Sequence, residues 1–147
     1  IDINEMLNIL NKKSGILGMS GGISSDFRDL VEAAAAGNDH AQTTLEAYAY
    51  RVGKYIGAYA AAMGGIDVLI FTAGIGENSS TMREIGTQGL EFLGIEIDHE
   101  LNKTMARGQI VNLSAKDAKV TTLVIPTDEE YMIALDTERI VKEAKNK

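Results

Sequence analysis

The sequence predicts an α/β fold, and three observations carry that prediction. Two short apolar runs, at 66–71 and 120–125, have the length and the β-branched content of strands. Each run ends at a turn signal, glycines at 74–76 or a proline at 126, and helical periodicity follows. The first run has no polar alternation, which is typical of a parallel sheet covered on both faces. We therefore expect the order strand, helix, strand, helix in the second half.

The first half of the chain is predicted to be helical. Residues 1–12 form an amphipathic pattern with capping-box spacing at its start, and the glycine-rich stretch 15–22 is predicted to be an irregular loop. A second helix begins at the caps in 24–26 and ends at Gly37, and a third runs from Asn38 to about residue 62. We expect this long helix to be buried, with tyrosines in the core or a dimer contact rather than in a ligand cage. Its small and aromatic residues are Gly53, Gly57, Ala58, Ala61, Ala62, Tyr48, Tyr55 and Tyr59.

The second half alternates between strands and helices. After the strand at 66–71, a fourth helix is predicted over 81–93, closed by Gly94. Residues 95–113 are mixed, with a possible short strand, a helical turn near 100–105 and a strand at 110–113. After the strand at 120–125, the last helix is predicted over 128–145 with one apolar side facing inward. Its inward residues are predicted to be Ile133, Ile140, Val141 and Ala144.

Length and composition exclude several classes of protein. The 147 residues suit one domain, with roughly two-thirds of the unfolded surface buried in a chain of this size. A net charge of −7 argues against nucleic acid and anionic membranes as partners. Apolar runs fall short of the about 20 residues of a membrane span, and the absence of cysteine fits the cytoplasm. Because the chain begins with Ile1 rather than Met, we expect a piece of a longer protein.

The glycines after the first strand are the strongest functional signal from the residues themselves. Gly74 and Gly76 allow the backbone to approach a ligand without a Cβ in the way. Asn78 or Ser79 can cap the helix that follows, whose N-terminus favours negative charge. These features favour a nucleotide-holding turn, although glycines that merely reverse the chain direction explain the same letters equally well.

Several separated motifs together resemble the C-terminal part of the acetokinase family, which includes acetate, propionate and butyrate kinases. The resemblance spans nearly the whole chain and implies the ribonuclease H-like fold of actin-like and sugar-kinase ATPases, in which two related α/β domains flank a nucleotide cleft. Residues 1–147 would be the C-terminal nucleotide-binding domain segment, truncated at its N-terminal side. The matching segments are Leu10-Asn11-Lys12-Lys13-Ser14-Gly15, Ser24-Ser25-Asp26-Phe27-Arg28-Asp29, Tyr55-Ile56-Gly57-Ala58-Tyr59, Phe71 to Ser79, and Val124 to Glu130.

The resemblance implies phosphoryl transfer between ATP and acetate, giving acetyl phosphate and ADP, with Mg²⁺ as the metal and a homodimer joined through the C-terminal domains. It also implies a metal-associated carboxylate at Glu129. The chain departs from the family at Asp128, where Asn is common, and this departure adds a negative charge beside the implied metal carboxylate. The implied nucleotide-contacting residues are the triplet Asp26, Phe27 and Arg28, and the adenosine-binding loop Gly74, Ile75, Gly76, Glu77 and Asn78.

Each of these residues also has a purely structural interpretation. The guanidinium of Arg28 can stack on a ring or bind an oxygen with two donors, or it can be a solvated residue of a surface helix. Asp26 can accept a hydrogen bond from a ribose hydroxyl or serve as a helix N-cap. Glu77 can act only on the helix dipole.

Spacing at the start of the last helix separates its two glutamates. Thr127 and Glu130 have capping-box spacing, which leaves Glu129 as the freer carboxylate. One carboxylate suffices for Mg²⁺, because this ion keeps several waters beside phosphates. His40 and His99 lie beside acidic turn residues and are expected to be exposed and without a catalytic role.

The resemblance therefore implies part of an ATP:acetate phosphotransferase that supplies the adenosine-binding surface and part of the metal site. Within the family, the acyl pocket and the transition-state residues lie outside this stretch, so we expect the isolated chain to be inactive. Propionate or butyrate kinase of the same family stays open, as does a dimerisation module without activity. A dinucleotide-binding oxidoreductase is disfavoured, because no G-x-G-x-x-G follows the strand.

Overall fold

The structure, a computed structural model, describes residues 1–145 of the chain and is built on a three-stranded mixed sheet in the order β1-β3-β2. The strands are β1 (Val68–Phe71), β2 (Val111–Asn112) and β3 (Thr121–Val124). The helices are α1 (Ile3–Asn8), α2 (Gly15–Met19), α3 (Phe27–Ala35), α4 (Asp39–Met63), α5 (Ala73–Asn78), α6 (Ser80–Thr87), α7 (His99–Thr104) and α8 (Glu129–Lys145). A π-helical segment, Ile9–Lys13, follows α1, and a 3-10 turn, Glu91–Leu93, follows α6. The predicted α/β class is confirmed.

The two apolar runs form neighbouring parallel strands. β1 pairs with β3 in a register that places Val68 opposite Thr121 and Phe71 opposite Val124. β2 lies antiparallel on the other side of β3. Because β1 and β3 run in the same direction, the segments that follow them emerge at the same edge of the sheet. This edge is the place where open α/β sheets bind ligands.

The expectation that β1 is covered on both faces is wrong for this chain. Val68 and Ile70 are 45% and 50% exposed, whereas Leu69 and Phe71 on the opposite face are half-buried. Leu69 packs against a core cluster, and Phe71 packs against another. An apolar run shows that both faces can be buried, but the described residues 1–145 leave the face of Val68 and Ile70 about half exposed.

The core consists of three small clusters rather than one. The largest lies between α3, α4 and α6, and it holds Phe27 in edge-to-face contact with Tyr48, with ring centroids 5.5 Å apart. The other two clusters lie along the sheet and the segments that flank it. The buried residues of the three clusters are Phe27, Leu30, Ala41, Leu45, Ala49 and Met82; Leu90, Ile95 and Val120; and Ile97, Leu113 and Val124.

The N-terminal region contains more helix than expected. The predicted helix over 1–12 is α1 continued by the π-helical segment, capped by Asp2 as expected, and it buries no residue. The glycine-rich stretch 15–22 is not irregular, because α2 occupies its first five residues. Backbone hydrogen bonds from Ser20 to Ile16 and from Gly22 to Leu17 close this turn, at 3.0 and 2.9 Å. The glycine content of this stretch predicted too little helix, because the backbone forms these hydrogen bonds without help from side chains.

α3, α4 and α8 begin and end close to the predicted residues, but α4 and α8 are less buried than predicted. α3 begins after Asp26 and α4 runs between the caps Asn38 and Gly64, as expected. The first half of α4 is packed, whereas Tyr55 and Tyr59 near its end are exposed and stacked on each other. α8 buries no residue, so the four side chains predicted to face inward are exposed. No helix within residues 1–145 is both long and apolar enough to cross a membrane.

The segment after the glycine motif is divided more finely than predicted. α6 ends at Thr87 rather than at residue 93, because Gln88 leaves the helical conformation with ψ of 131° and Gly89 follows with a left-handed φ of +80°. The mixed region contains an isolated bridge between Ile97 and Ser114, then α7 and β2, close to the predicted short strand, helical turn and strand.

Candidate functional site

Two segments that the sequence assigned to different tasks meet at the carboxyl edge of the sheet. α5 follows β1, and the turn that contains Thr127 follows β3. The Glu77 carboxylate in α5 accepts hydrogen bonds from the Thr127 amide at 2.9 Å and from its hydroxyl at 3.0 Å. The predicted adenosine-binding loop and the segment with the predicted metal carboxylate are therefore in direct contact. We call residues 73–78 and 125–129 the edge site.

The glycine motif forms a short helix rather than an open loop before a helix. α5 begins immediately after Thr72, whose side chain makes no capping bond. The chain turns at Ala73, the one non-glycine residue within 1–145 with a positive φ, at +58°. That conformation costs an L-residue roughly 1–2 kcal/mol. The reversal of the chain therefore depends on a strained alanine, and neither glycine of the motif has a left-handed conformation.

Gly74 and Gly76 have different surroundings although both lie in α5. A Cβ on Gly74 would meet no atom within 4 Å, so this position faces open space at the edge site. A Cβ on Gly76 would lie 3.2 Å from the carbonyl carbon of Phe71, which is closer than side chains normally approach a backbone. Gly76 is therefore explained by packing of α5 on the end of β1, whereas packing within this chain does not explain Gly74.

The rest of the motif is exposed or serves the helix termini. The side-chain amide of Asn78 donates to the Gly74 carbonyl at 2.9 Å, so this bond lies within α5. Of the two residues predicted to cap the next helix, Ser79 does so by accepting from the Met82 amide at 3.2 Å. Ile75 is exposed. The motif is thus a surface element, as a ligand site requires.

Arg83 of α6 is the most buried charged group in contact with the edge site. Only 2% of the residue is exposed, and its Nη1 donates to the carbonyls of Gly76 at 2.8 Å and Glu77 at 3.0 Å. Its Nε and Nη2 donate to the side chain and backbone oxygens of Asn102, at 2.7 and 3.1 Å. Burial lowers the pKa of Arg83. No carboxylate within residues 1–145 forms an ion pair with it, so carbonyl and amide dipoles compensate its charge.

Arg83 was not among the predicted site residues, although the sequence contains one signal for it. Arg83 lies between Met82 and Gly86 on the buried side of α6, so its position in the helical repeat predicts burial. A buried arginine requires several acceptors, and Asn102 supplies two of them from nineteen residues away. That partner could not be read from the sequence.

Asp26 and Arg28 form an exposed pair at the start of α3. Asp26 accepts from the Arg28 amide at 2.8 Å, and its two carboxylate oxygens accept from Nε and Nη2 of Arg28 at 3.1 and 2.7 Å. The hydrogen bonds from the Arg28 side chain, and then from its amide, lower the pKa of Asp26 from its ordinary 3.8 to about 2. The helix-cap interpretation of Asp26 is therefore confirmed, and its nucleotide role stays a prediction.

Core packing connects the triplet to α6, the helix that follows the loop. The Phe27 side chain is buried in the same cluster as Met82, which lies near the start of α6. Phe27 therefore supports the position of its neighbours through core packing, and its predicted nucleotide contact stays a prediction. Within residues 1–145 no hydrogen bond or ion pair joins Asp26 or Arg28 to α5.

Glu129 is exposed at the start of α8, two residues after the Thr127 contact. The predicted capping box is wrong, because Asp128 accepts from the Tyr131 amide at 3.0 Å while Thr127 donates to Glu77. Residues 1–145 contain no group of three or more acidic, histidine or cysteine side chains arranged to hold a metal. One free carboxylate fits Mg²⁺ held mainly through water and phosphate oxygens. His40 and His99 are exposed, as predicted.

Together, the fold and the edge site define an α/β protein with a mixed sheet and an exposed polar site at the carboxyl edge of two parallel strands. Comparison with known proteins identifies the family to which the chain belongs within this class. The Acetokinase family matches residues 1–135. The chain is 58% identical to the acetate kinase of Thermoanaerobacterium thermosaccharolyticum over 146 residues, which is 99% of this chain and 36% of that protein.

Solved structures give the same result. A crystal structure of Porphyromonas gingivalis acetate kinase superposes with a TM-score of 0.86 and 49% identity, covering 96% of this chain and 35% of that one. A propionate kinase from Francisella tularensis superposes with a TM-score of 0.79 and 35% identity, covering 91% of this chain and 33% of that one. The chain belongs to the acetokinase family. It spans about a third of the length of the relatives that it matches.

Proposed function

We propose that this chain acts within a longer polypeptide as the nucleotide-binding part of an ATP:acetate phosphotransferase, which converts acetate and ATP to acetyl phosphate and ADP. One observation carries the proposal. The exposed glycine motif and the segment with Glu129 follow two adjacent parallel strands and are joined by the Glu77–Thr127 hydrogen bonds. A nucleotide and its metal must lie side by side, and this contact supports the proposal that both bind at the edge site.

The adenosine part of ATP is proposed to lie against α5 on the side of Gly74. Open space at this position fits a flat ring system that approaches the main chain closely. The Arg28 guanidinium, exposed and held by Asp26, can stack on a ring or donate to a ribose or phosphate oxygen. The pair with Asp26 orients this guanidinium before a ligand arrives, which reduces the entropy lost on binding.

Glu129 is proposed to hold Mg²⁺ directly or through water, since it is exposed and its neighbour Asp128 caps α8. Mg²⁺, when bound, supplies positive charge to the transferring phosphoryl group. The contribution of this chain is to align the nucleotide and to place one carboxylate beside its phosphates. Alignment and charge neutralisation account for most of the acceleration of phosphoryl transfer.

Binding of the acceptor is proposed to depend on the rest of the longer polypeptide. The choice among acetate, propionate and butyrate belongs to that part, and the likeness to a propionate kinase keeps propionate as the alternative substrate. A homodimer, formed through this domain in the cytoplasm, belongs to the same proposal. The exposed stacked pair Tyr55 and Tyr59 on α4 supports such a contact.

An acceptor assay tests the proposal. The full-length protein is incubated with ATP, Mg²⁺ and acetate, propionate or butyrate, and the acyl phosphate is trapped as a hydroxamate. Acyl phosphate formation, greatest with acetate, is expected, and none with any of the three acids would refute the proposal. The isolated 147-residue chain is expected to bind ADP in a calorimetric titration without forming acyl phosphate. Formation of acyl phosphate by that chain would show that the acceptor site does not lie elsewhere.

A further inference from the structure

The α5 segment lacks the usual means of holding a helix in place. It buries none of its residues, and two of its six positions are glycines without side chains. Hydrophobic packing therefore contributes little to its position, and a six-residue helix is unstable in isolation. Its position depends on the close contact of Gly76 with the end of β1 and on polar contacts from outside.

Arg83 provides the buried polar contacts. One nitrogen, Nη1, donates to two successive carbonyls of α5, those of Gly76 and Glu77, which lie in its last turn. Last-turn carbonyls lack partners within a helix and carry its partial negative charge, so a cation satisfies both needs. The Nε and Nη2 edge of the guanidinium donates to Asn102 of α7.

Asn102 is in turn anchored to the start of α6. Its Nδ2 donates to the Ser80 carbonyl at 2.9 Å and to the Glu84 carboxylate at 3.2 Å, and the residue is buried. Within residues 1–145, the partner that fixes the guanidinium forms no hydrogen bond with the edge site. Because Arg83 belongs to α6 and also binds Asn102 of α7, the guanidinium holds the main chain of α5 in a fixed position relative to both helices.

We infer that Arg83 is a positioning residue for nucleotide binding: its guanidinium fixes the Gly76 and Glu77 carbonyls and thereby places the main chain at Gly74 against the adenosine. This inference rests on the proposed function of the edge site. Arg83 does not touch the nucleotide. It acts through α5, and its effect falls on nucleotide affinity rather than on the carboxylate acceptor.

Two variants separate positioning from stability in the full-length protein. Arg83→Met keeps most of the side-chain length but removes the donors to α5. Asn102→Ala removes the Oδ1 acceptor of the same buried cluster and the Asn102 amide donor, yet leaves the Arg83 contacts to α5 available. Both variants are expected to lower the melting temperature, because each leaves buried polar groups without a partner. Only Arg83→Met is expected to loosen α5, because in Asn102→Ala the guanidinium keeps its bonds to the backbone carbonyl of position 102 and to both α5 carbonyls.

The expected result is a rise of at least about tenfold in the ADP dissociation constant for Arg83→Met, equivalent to about 1.4 kcal/mol. Asn102→Ala is expected to stay within about twofold, and the KM for the acceptor is expected to be unchanged in both. Arg83→Lys, with a compact charge that cannot bridge α5 and Asn102, is expected to be intermediate and serves if the methionine variant does not fold.

The inference is overturned if folded Arg83→Met or Arg83→Lys binds ADP like the unmodified protein, or if Asn102→Ala weakens ADP equally. A rise in the acceptor KM together with a loss of nucleotide affinity would likewise show a general structural effect. Failure of the proposed function looks different, because the unmodified protein would then not bind ADP in the first place. Exposed Arg139 on α8, replaced by Met, is the control for loss of an arginine as such.

Discussion

Replacement of Gly74 separates the space that a nucleotide needs from the packing that the fold needs. A Cβ at this position meets no atom of the chain within 4 Å, and the backbone is not left-handed. Valine is a better helix former than glycine by about 0.3 kcal/mol, so Gly74→Val should leave the free energy of unfolding nearly unchanged. The new methyl groups would occupy the space proposed for adenosine.

The expected loss of affinity follows from the cost of intrusion into a packed contact. Overpacking by one or more methyl groups costs typically about 1–3 kcal/mol. At about 1.4 kcal/mol per tenfold, the ADP dissociation constant of Gly74→Val should rise between about fivefold and about 150-fold. Gly74→Ala should show a smaller rise. Calorimetric titration with ADP and thermal unfolding by circular dichroism, both on the full-length protein, measure the two effects.

Two other glycines serve as controls for this prediction. Gly57 lies in α4, where a Cβ also meets nothing within 4 Å, so Gly57→Val tests the same exchange away from the edge site. Gly76→Ala should instead lower stability by about 1–3 kcal/mol, because its Cβ would press on the Phe71 backbone. If Gly74→Val binds ADP within about twofold of the unmodified protein, the proposed contact of adenosine with α5 is refuted.

Three further predictions concern the charges around the site. Glu129→Gln in the full-length protein should raise the Mg²⁺ concentration for half-maximal activity, because a neutral amide is a weaker ligand than a carboxylate. Glu77→Ala and Thr127→Val should each raise it too, with a coupling of about 0.5–1 kcal/mol in a double-mutant cycle on the Mg²⁺ requirement, because both variants remove the same hydroxyl–carboxylate hydrogen bond. Thr127→Val keeps the hydrogen bond from the backbone amide, which only Glu77→Ala removes. The Asp26 carboxyl should titrate with a pKa near 2 by NMR, so its pair with Arg28 is complete above about pH 4 and is lost as pH falls through 2. Arg28→Gln should return the pKa of Asp26 towards 3.8, since the side-chain hydrogen bonds are the largest cause of its shift.

Each of these predictions has a matched control and a contrary outcome. For the metal, Glu130→Gln changes the adjacent exposed carboxylate, and equal effects of the two variants would exclude a special role for Glu129. For the Glu77–Thr127 contact, purely additive effects would show that it does not couple the two segments. For Asp26, a midpoint that Arg28→Gln does not move would assign the shift to another cause, while Arg139→Gln should have no effect.

Local signals in the sequence were sufficient for most element positions. The Asp26 and Asn38 caps, the strands at β1 and β3, and the bounds of α4 and α8 agree with the structure, because each depends on a few consecutive residues. The resemblance on the triplet and the loop motif identified the family, which the comparisons confirm. The site assignments on the same residues stay predictions.

Only the tertiary structure decided which of these residues act together. The Glu77 contact with Thr127 spans fifty residues, and the Arg83 contact with Asn102 spans nineteen, so no local pattern could reveal either pair. The sequence could not predict the exposure of side chains either, since an apolar side chain such as Ile70 is buried only if another element covers it. The sequence by itself determined where most helices and strands form, because capping and periodicity act within a few residues. Tertiary packing determined the edge site, because it depends on how parallel strands bring distant segments to one edge.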